Sequence, residues 1–579
     1  MSPVRKVIAE DPTVALIALA FAASELVTFG WDLPGSHGWE NDGVAPRDLF
    51  GGLAHNLTPG ATHRYPLLHY LLLGLLSLPA LLVAALAGPL TASGVRARVL
   101  SVACMTAVSL VAKAVATLMG VLCVLLVARI VRRTLGVRAG RYAALFAATN
   151  MTFAFYARVS NLDVPYLTWT VLALDAVLDI LESGDGRAYT RFGLFAAAAV
   201  ATKDQAYASF LLVAPLYFVV WPLARRSAFS RAHARLLARG AAFAISGYAV
   251  MSGALFNPTG FVRRLGELRG PSSQLWRGYS KDLAGLGANA RDVVHAAAHD
   301  FWPSPVFSVA VLGVALALAR RPGSSLLESR AARALPLAAG VGSLVFFTLA
   351  VARSEHRFLL PFGLFLSAYA GVAADTLVGA TAALGAEAVG RGVVTLGLVW
   401  CAVASSASHL TQLGDARNEV ERYLERLPPG SLVETYGLLV YAPHFDVSAQ
   451  SPYRVARVGP DRPASRNPLV GATEIQAPIA EIEQRKPDVV VLSEGFAIPY
   501  LAVSDDPTRP VAGALAARRA DTPTTAFVHA ALTDSLPHYR LALAARPHLP
   551  RWAYAFGLRA VPIQGTTGLS VWVLVREKP

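Results

Sequence analysis

Apolar runs of about 16 to 26 residues recur between positions 14 and 410, and runs of that length can cross a hydrocarbon layer roughly 30 Å thick. A soluble chain of 579 residues would be expected to carry about 25% charged side chains; this one carries 16%, with a mean hydropathy of +0.46. The shortfall is uneven. From residue 410 onward there are 18 Lys+Arg and 17 Asp+Glu, an ordinary soluble balance of +1. The expected fold class is therefore mainly α: a polytopic membrane protein of about 11 transmembrane helices, with outer-face juxtamembrane helices and a small C-terminal α/β soluble domain. The expected domains are 1–410 and 411–579.

The net charge of +14 belongs almost wholly to the apolar part, which excludes reading the pI of 9.9 as a nucleic-acid signal. Basic residues sit in short loops between apolar runs, where they orient helices and meet anionic lipid. Cys104, Cys123 and Cys401 all lie in apolar runs and read as small hydrophobes, with no disulfide framework or metal-ligand spacing. Arg5 and Lys6 precede the first run, and no small-x-small cleavage site follows it, so that run is expected to remain as the first helix.

Placing the basic loops on the cytoplasmic side yields a topology. They are Arg5-Lys6, the five arginines of 129–141, Arg187 with Arg191, the cluster at 225–239, and Arg320-Arg321 with Arg330 and Arg333. The spans are then 13–30, 103–128, 141–157, 164–181, 190–202, 206–223, 238–256, 304–320, 335–352, 358–377 and 389–409, with the C-terminal tail outside. Residues 67–89 are apolar enough to span, but spanning would move every later basic loop to the other side. They are read as a juxtamembrane or re-entrant helix on the outer face. The short segment 190–202 is interrupted by Thr202-Lys203-Asp204-Gln205, and a helix broken by polar residues near a membrane surface usually lines a cavity.

With this topology four polar stretches share the outer face. They are Trp39-Glu40-Asn41-Asp42 with Arg47-Asp48 and His63-Arg64-Tyr65; Ala157-Arg158-Val159-Ser160-Asn161-Leu162-Asp163; Lys203-Asp204; and Arg353-Ser354-Glu355-His356-Arg357. Ionisable groups near a bilayer are costly, and they tend to pair or to line a substrate path. Such a set suits group transfer from a phosphate leaving group. Lys203, His356, Arg357 and Arg64 supply positive charge for a lipid-linked phosphate, an arginine as a fork and a lysine as a point charge. Arg158, Asn161 and Tyr65 complete the candidate binding set. Asp42 or Glu40 can take a proton from an attacking hydroxyl, and Asp163 can hold or polarise the acceptor. A charge at a membrane helix end is commonly a snorkelling anchor, and that bland reading is preferred for Arg47, Arg353 and Glu355. Lys113, inside a span, receives no role.

In order along the chain stand an acidic first outer loop, Tyr65-Pro-Leu-Leu-His-Tyr70, an arginine-rich turn, Tyr156-Ala-Arg-x-x-Asn-x-Asp163, Thr202-Lys-Asp204 and His356-Arg-Phe-Leu-Leu-Pro361. This ordered set, spread over residues 10–410, resembles the GT-C glycosyltransferases, especially the protein O-mannosyltransferase and aminoarabinose transferase branch. The resemblance implies inverting transfer of a sugar from a polyprenyl-phosphate carrier to a hydroxyl acceptor (lipid, glycan or protein) on the outer membrane face. It implies a base at Asp42 or Glu40, a second acid at Asp163, and Lys203, His356 and Arg357 near the lipid phosphate. The family often sets two acids side by side in the first loop; here Asn41 separates them, and the base stays open between Glu40 and Asp42. No all-protein cage for a divalent metal is visible; a metal held partly by substrate phosphate stays open as well. The expected location is the inner or plasma membrane of a bacterium, with site and tail extracytoplasmic. The alternative is a transporter or flippase of a lipid-linked glycan, which predicts polar residues continuing down to the cytoplasmic face.

In the tail, residues 417–427 read as a helix. Residues 431–434, 487–493 and 570–575 read as buried strands of a small α/β domain. Pro487-Asp488-Val489-Val490 lacks a glycine-rich turn, so no nucleotide is expected there.

Overall fold

The computed structural model describes residues 9–35, 37–40, 42–220, 222, 231–269, 278–323, 325–448, 450–463, 468–469, 471–501, 521–555, 558 and 567–577. Arg5, Lys6 and the first residues of the 225–239 cluster lie outside them. The chain forms two compact units. One comprises Met1–Phe29, Asp48–Leu82 and Leu110–Ser406; the other comprises Gly30–Arg47, Val83–Ser109 and Ala407–Pro579.

The first unit is helical. Among the described residues six helices are long and apolar enough to cross a membrane, and a seventh is added if the pair Leu283–His299 and Ser304–Ala319, bent by 103°, counts as one span. The eleven expected spans are thus not all full-length helices. Residues 141–157 divide into Val137–Ala148 and Met151–Tyr156, because Asn150 starts a new helix by accepting from the Phe153 N–H (2.9 Å). Gly186–Thr202 has 17 residues and ends at Lys203, whose backbone is extended before a 3₁₀ turn, Asp204–Ser209. Of the span expected at 206–223, residues 206–220 mix 3₁₀, α and π turns, and 221 and 223 lie outside the described residues. Conversely Leu67–Leu86, read above as juxtamembrane, is one of the six by length and composition.

Helix packing in this unit uses small residues. A side chain on Gly193 would run into the Gly240 backbone, so Gly186–Thr202 and Arg231–Met251 approach backbone to backbone. Charge is sorted along the helices. Arg129 and Arg133, at the end of Val102–Leu135, pair with Asp175, Asp179 and Glu182 near the end of Asp163–Ser183. Arg141 with Asp11, Arg132 with Glu10, Arg191 with Asp179, and Arg138 and Arg320 with Asp375 pair likewise.

The second unit holds a six-stranded sheet: β1 Ser431–Tyr436, β2 Tyr453–Gly459, β3 Thr473–Gln476, β4 Val489–Ser493, β5 Tyr539–Ala545 and β6 Val571–Arg576. The order is β3-β2-β1-β4-β6-β5, with β1 to β4 parallel and β5 and β6 antiparallel to their neighbours. β4 is buried on both faces. Val489 and Val491 enter one core with Val433, Val455 and Val573, while Val490 and Leu492 enter the other with Tyr436, Val458 and Leu574. That is why it reads as an unbroken apolar run. The three strands expected from sequence are β1, β4 and β6; β2, β3 and β5 were not anticipated. The helix expected at 417–427 is Ala416–Leu424.

Candidate functional site

Asp163 opens Asp163–Ser183, and Lys203 follows the last residue of Gly186–Thr202. A helix N-terminus favours an anion and a C-terminus a cation, so each charge stands at the helix end of opposite sign. They meet: Lys203 Nζ lies 2.6 Å from Asp163 Oδ1, with the side chains 3% and 1% exposed. Asn161 Oδ1 accepts from the Asp163 N–H at 2.8 Å, which orients the first turn. Lys203 Nζ is also 5.9 Å from the centre of the Tyr166 ring. Asp163 Oδ2 is buried and has no hydrogen-bond partner among the described residues. A carboxylate with one oxygen on a lysine and the other unmatched retains capacity to accept a donor such as a hydroxyl. Asp204 does not neutralise Lys203 locally. It stands 3.5 Å from Arg264, and the Tyr248 hydroxyl donates to it at 3.3 Å.

Arg158 bonds Glu25 at 3.0 Å, with both side chains buried. A buried pair of this kind ties the first helix to the 158–163 turn, a use for Arg158 that the sequence reading did not include. Glu25 was missed as well, although an acid within a predicted first span is itself a signal.

A second cluster in the same unit gathers around Asp48, which opens Asp48–Leu57. Its carboxylate takes Arg64 at 3.2 Å, His63 at 3.5 Å and the Tyr70 hydroxyl at 2.9 Å. Burial would raise its pKa, but the His63 hydrogen bond and the Arg64 charge outweigh burial and hold the carboxyl at about 2. Arg64 lies 5.2 Å from the Tyr65 ring centre. The sequence reading took Arg64 as a cation and passed over its acid sixteen positions earlier.

The third cluster precedes His356–Ala383. His356 Nδ1 is 2.5 Å from Asp300 Oδ2, and Arg357 is 3.0 Å from Glu355. Arg353 pairs with the same Glu355, and both arginines lie over the Phe358 ring. Burial pushes Arg353 down to about 10, against the opposing influence of Tyr65.

Glu40 and Asp42 belong to the second unit. Glu40 is 5% exposed; its Oε2 accepts from the Asp42 N–H at 3.0 Å, and its carbonyl accepts from Gly43 at 3.1 Å. The two acids therefore share one tight turn; Asn41 between them lies outside the described residues. No group of three or more His, Cys, Asp or Glu suited to a metal occurs among the described residues.

Asp163, Lys203 and the helices that bring them together fall in a stretch of the chain that matches a known family. Residues 99–250 match the dolichyl-phosphate-mannose-protein mannosyltransferase family. The match bears out the resemblance to GT-C transferases. It includes Arg158 and Asn161 and excludes Glu40, Asp42, Arg64, Tyr65, His356 and Arg357. No curated protein matches the chain in sequence. Among solved structures, ArnT from Cupriavidus metallidurans bound to undecaprenyl phosphate is similar at 13% identity and a TM-score of 0.44, covering 87% of this chain and 97% of that one. The archaeal oligosaccharyltransferase AglB from Archaeoglobus fulgidus, in complex with an inhibitory peptide and a dolichol-phosphate, is similar at 11% identity and a TM-score of 0.43, covering 98% and 89%.

Proposed function

We propose that this protein is an inverting glycosyltransferase. It takes a sugar from a polyprenyl-phosphate carrier and passes it to a hydroxyl acceptor at the non-cytoplasmic face of a membrane. The observation that carries the reading is the buried Lys203–Asp163 pair at 2.6 Å, inside the segment matched to a family named for a lipid-phosphate sugar donor.

In the proposed reaction the acceptor oxygen attacks the anomeric carbon, the bond from that carbon to the phosphate oxygen breaks, and the lipid phosphate leaves with the electron pair. The proton of the acceptor passes to Glu40 or Asp42. Lys203 offsets the charge that grows on the departing phosphate, with Arg64, Tyr65, His356 and Arg357 as further candidates for binding it. Asp163 holds Lys203 in place and has one oxygen left for the substrate. Arg158 and Asn161 shape the turn that presents Asp163.

The test is transfer in membranes supplied with candidate polyprenyl-phosphate sugars, following loss of sugar from the lipid. We expect loss with the wild-type protein and a drop of about a hundredfold or more in Lys203→Ala and in one of Glu40→Gln and Asp42→Asn. Full activity in both acid variants would remove the first loop from the mechanism. Movement of an intact lipid-linked sugar across the membrane without cleavage would favour a flippase instead.

A further inference from the structure

The sheet-bearing unit contains a buried histidine that the proposed reaction does not use. His444 follows β1 and the short turn Leu439–Tyr441 and is 8% exposed. Its Nε2 stands 3.0 Å from the His37 carbonyl oxygen and 3.3 Å from Asp32 Oδ1, and its Nδ1 stands 3.4 Å from Glu421 Oε1. Its ring stacks on Trp39, with centroids 4.4 Å apart and planes at 11°. The Arg417 guanidinium carbon lies 4.0 Å from the centre of the Trp39 ring. Two groups so near one ring centre cannot share a face, so the indole is held between imidazole and guanidinium.

Carboxylates tie down the rest of the loop. Asp32 also accepts from the Trp39 N–H at 2.7 Å. Asp415 holds Arg417 at 2.6 Å and accepts from Trp31 Nε1 at 3.0 Å. Glu40 follows Trp39 directly. All these contacts lie within one compact unit.

We propose that His444 is a positioning residue: as an imidazolium held by Asp32 and Glu421 and stacked on Trp39, it fixes Trp39 and with it the positions of Glu40 and Asp42, and losing its proton releases them. The inference rests on the reading of those two acids as the proton acceptors of sugar transfer.

The geometry favours the cation. Nε2 has the His37 carbonyl and Asp32 beside it as acceptors, and Nδ1, buried without a hydrogen bond, stands 3.4 Å from the Glu421 carboxylate, whose charge favours a proton there. A neutral ring would turn a lone pair toward a carboxylate or a carbonyl. The titratable and charged groups facing His444 are Asp32 and His37 from the loop and Glu421 and Arg417 from Ala416–Leu424. Burial opposes the charge, but Asp32 and Glu421 outweigh it and raise the pKa to about 9. His37 is pushed the other way by burial and by the His444 charge, and stays neutral. Arg417 is offset by Asp415.

The experiment uses the full chain with Val44→Cys as a thiol-accessibility probe; Val44 is fully buried, beside the acid turn. Labelling is followed with and without His444→Gln, alongside kcat and KM for the lipid donor. With each rate divided by that of a free thiol at the same pH, to remove the rise in thiolate, we expect slow labelling in the wild-type background at neutral pH and labelling at least about tenfold faster once pH passes about 9. With His444→Gln, labelling relative to the free thiol should be fast at both. Its kcat should fall about tenfold or more with KM nearly unchanged, and the alkaline limb of the wild-type kcat profile should vanish. Labelling that ignores both pH and His444 overturns the inference, and the pH arm needs no substitution at His444. Full kcat in His444→Gln, with an active wild type, overturns the inference alone. A wild type that transfers no polyprenyl-phosphate sugar overturns the reading of the acids and this inference with it.

Discussion

Lys203 and Asp163 illustrate how a buried charge is held. Each would be costly alone in a low-dielectric interior, and together they are tolerable because they touch and because each occupies the favourable helix end. Removing one partner leaves the other buried without a counter-charge. Asp163→Ala is expected to destabilise the helical unit by about 3–5 kcal/mol, while an apolar replacement of both residues together should recover much of that loss. Thermal unfolding in detergent checks this, and a double variant no better than Asp163→Ala would refute it. His444 gives a second expectation, with the opposite charge. Its folded pKa is raised to about 9, so its contribution to stability is complete below the unfolded value of 6.5 and disappears as pH rises through about 9. The sheet-bearing unit should therefore melt at lower temperature at alkaline pH, a trend that His444→Gln flattens. Both residues of the first pair stood out in the sequence as polar islands between apolar runs. Their union did not, because forty positions and two helices separate them.

Arg98 shows what charge counting misses in a secondary-structure element. Its guanidinium donates to the carbonyls of Ala84, Ala85, Gly88 and Pro89, at 2.9, 2.6, 3.3 and 2.9 Å, and so closes the C-terminal end of Leu67–Leu86. The last carbonyls of a helix have no partners within it, and an arginine satisfies them well. In the sequence Arg98 is one basic residue in the stretch after the apolar run 67–89, with nothing to mark a partner. Arg98→Ala should fray this helix end, seen as faster amide hydrogen exchange over residues 84–89 with little change at 70–78. Among the strands, β4 was legible because both its faces are buried and its residues are all apolar. β2, Tyr453–Gly459, hid because Arg454 and Arg457 interrupt its apolar pattern; Arg457 is buried by pairing with Glu474 on β3 at 3.0 Å. A charge that is neutralised across strands looks, in one dimension, like a loop residue.

The helical unit has two chemically different ends. The arginine-rich end carries Arg129, Arg133, Asp175 and Asp179, and Asp163 with Lys203 stands at the other end of Asp163–Ser183, about 18 to 24 Å from those two acids at 1.5 Å per residue. Under the proposed sidedness, a cysteine at Ser93 should react with an impermeant thiol reagent added from outside. A cysteine at Gly184 should react only after the membrane is opened; the reverse pattern would invert the topology. The membrane class and the apolar strands were legible in the amino-acid order, and the candidate site residues could be nominated there, because hydrophobicity and local charge are properties of short stretches. Which acid each cation meets was not: Lys203 with Asp163, Arg158 with Glu25 and Arg64 with Asp48 are pairings across chain separations that no short pattern encodes. The same is true of the loop carrying Glu40 and Asp42, which packs through Trp39 with Arg417 and His444, some four hundred positions away, in one compact unit. Burial makes an unpaired charge expensive, so the partners are chosen by the packing of helices and strands, and that packing exists only in the folded chain.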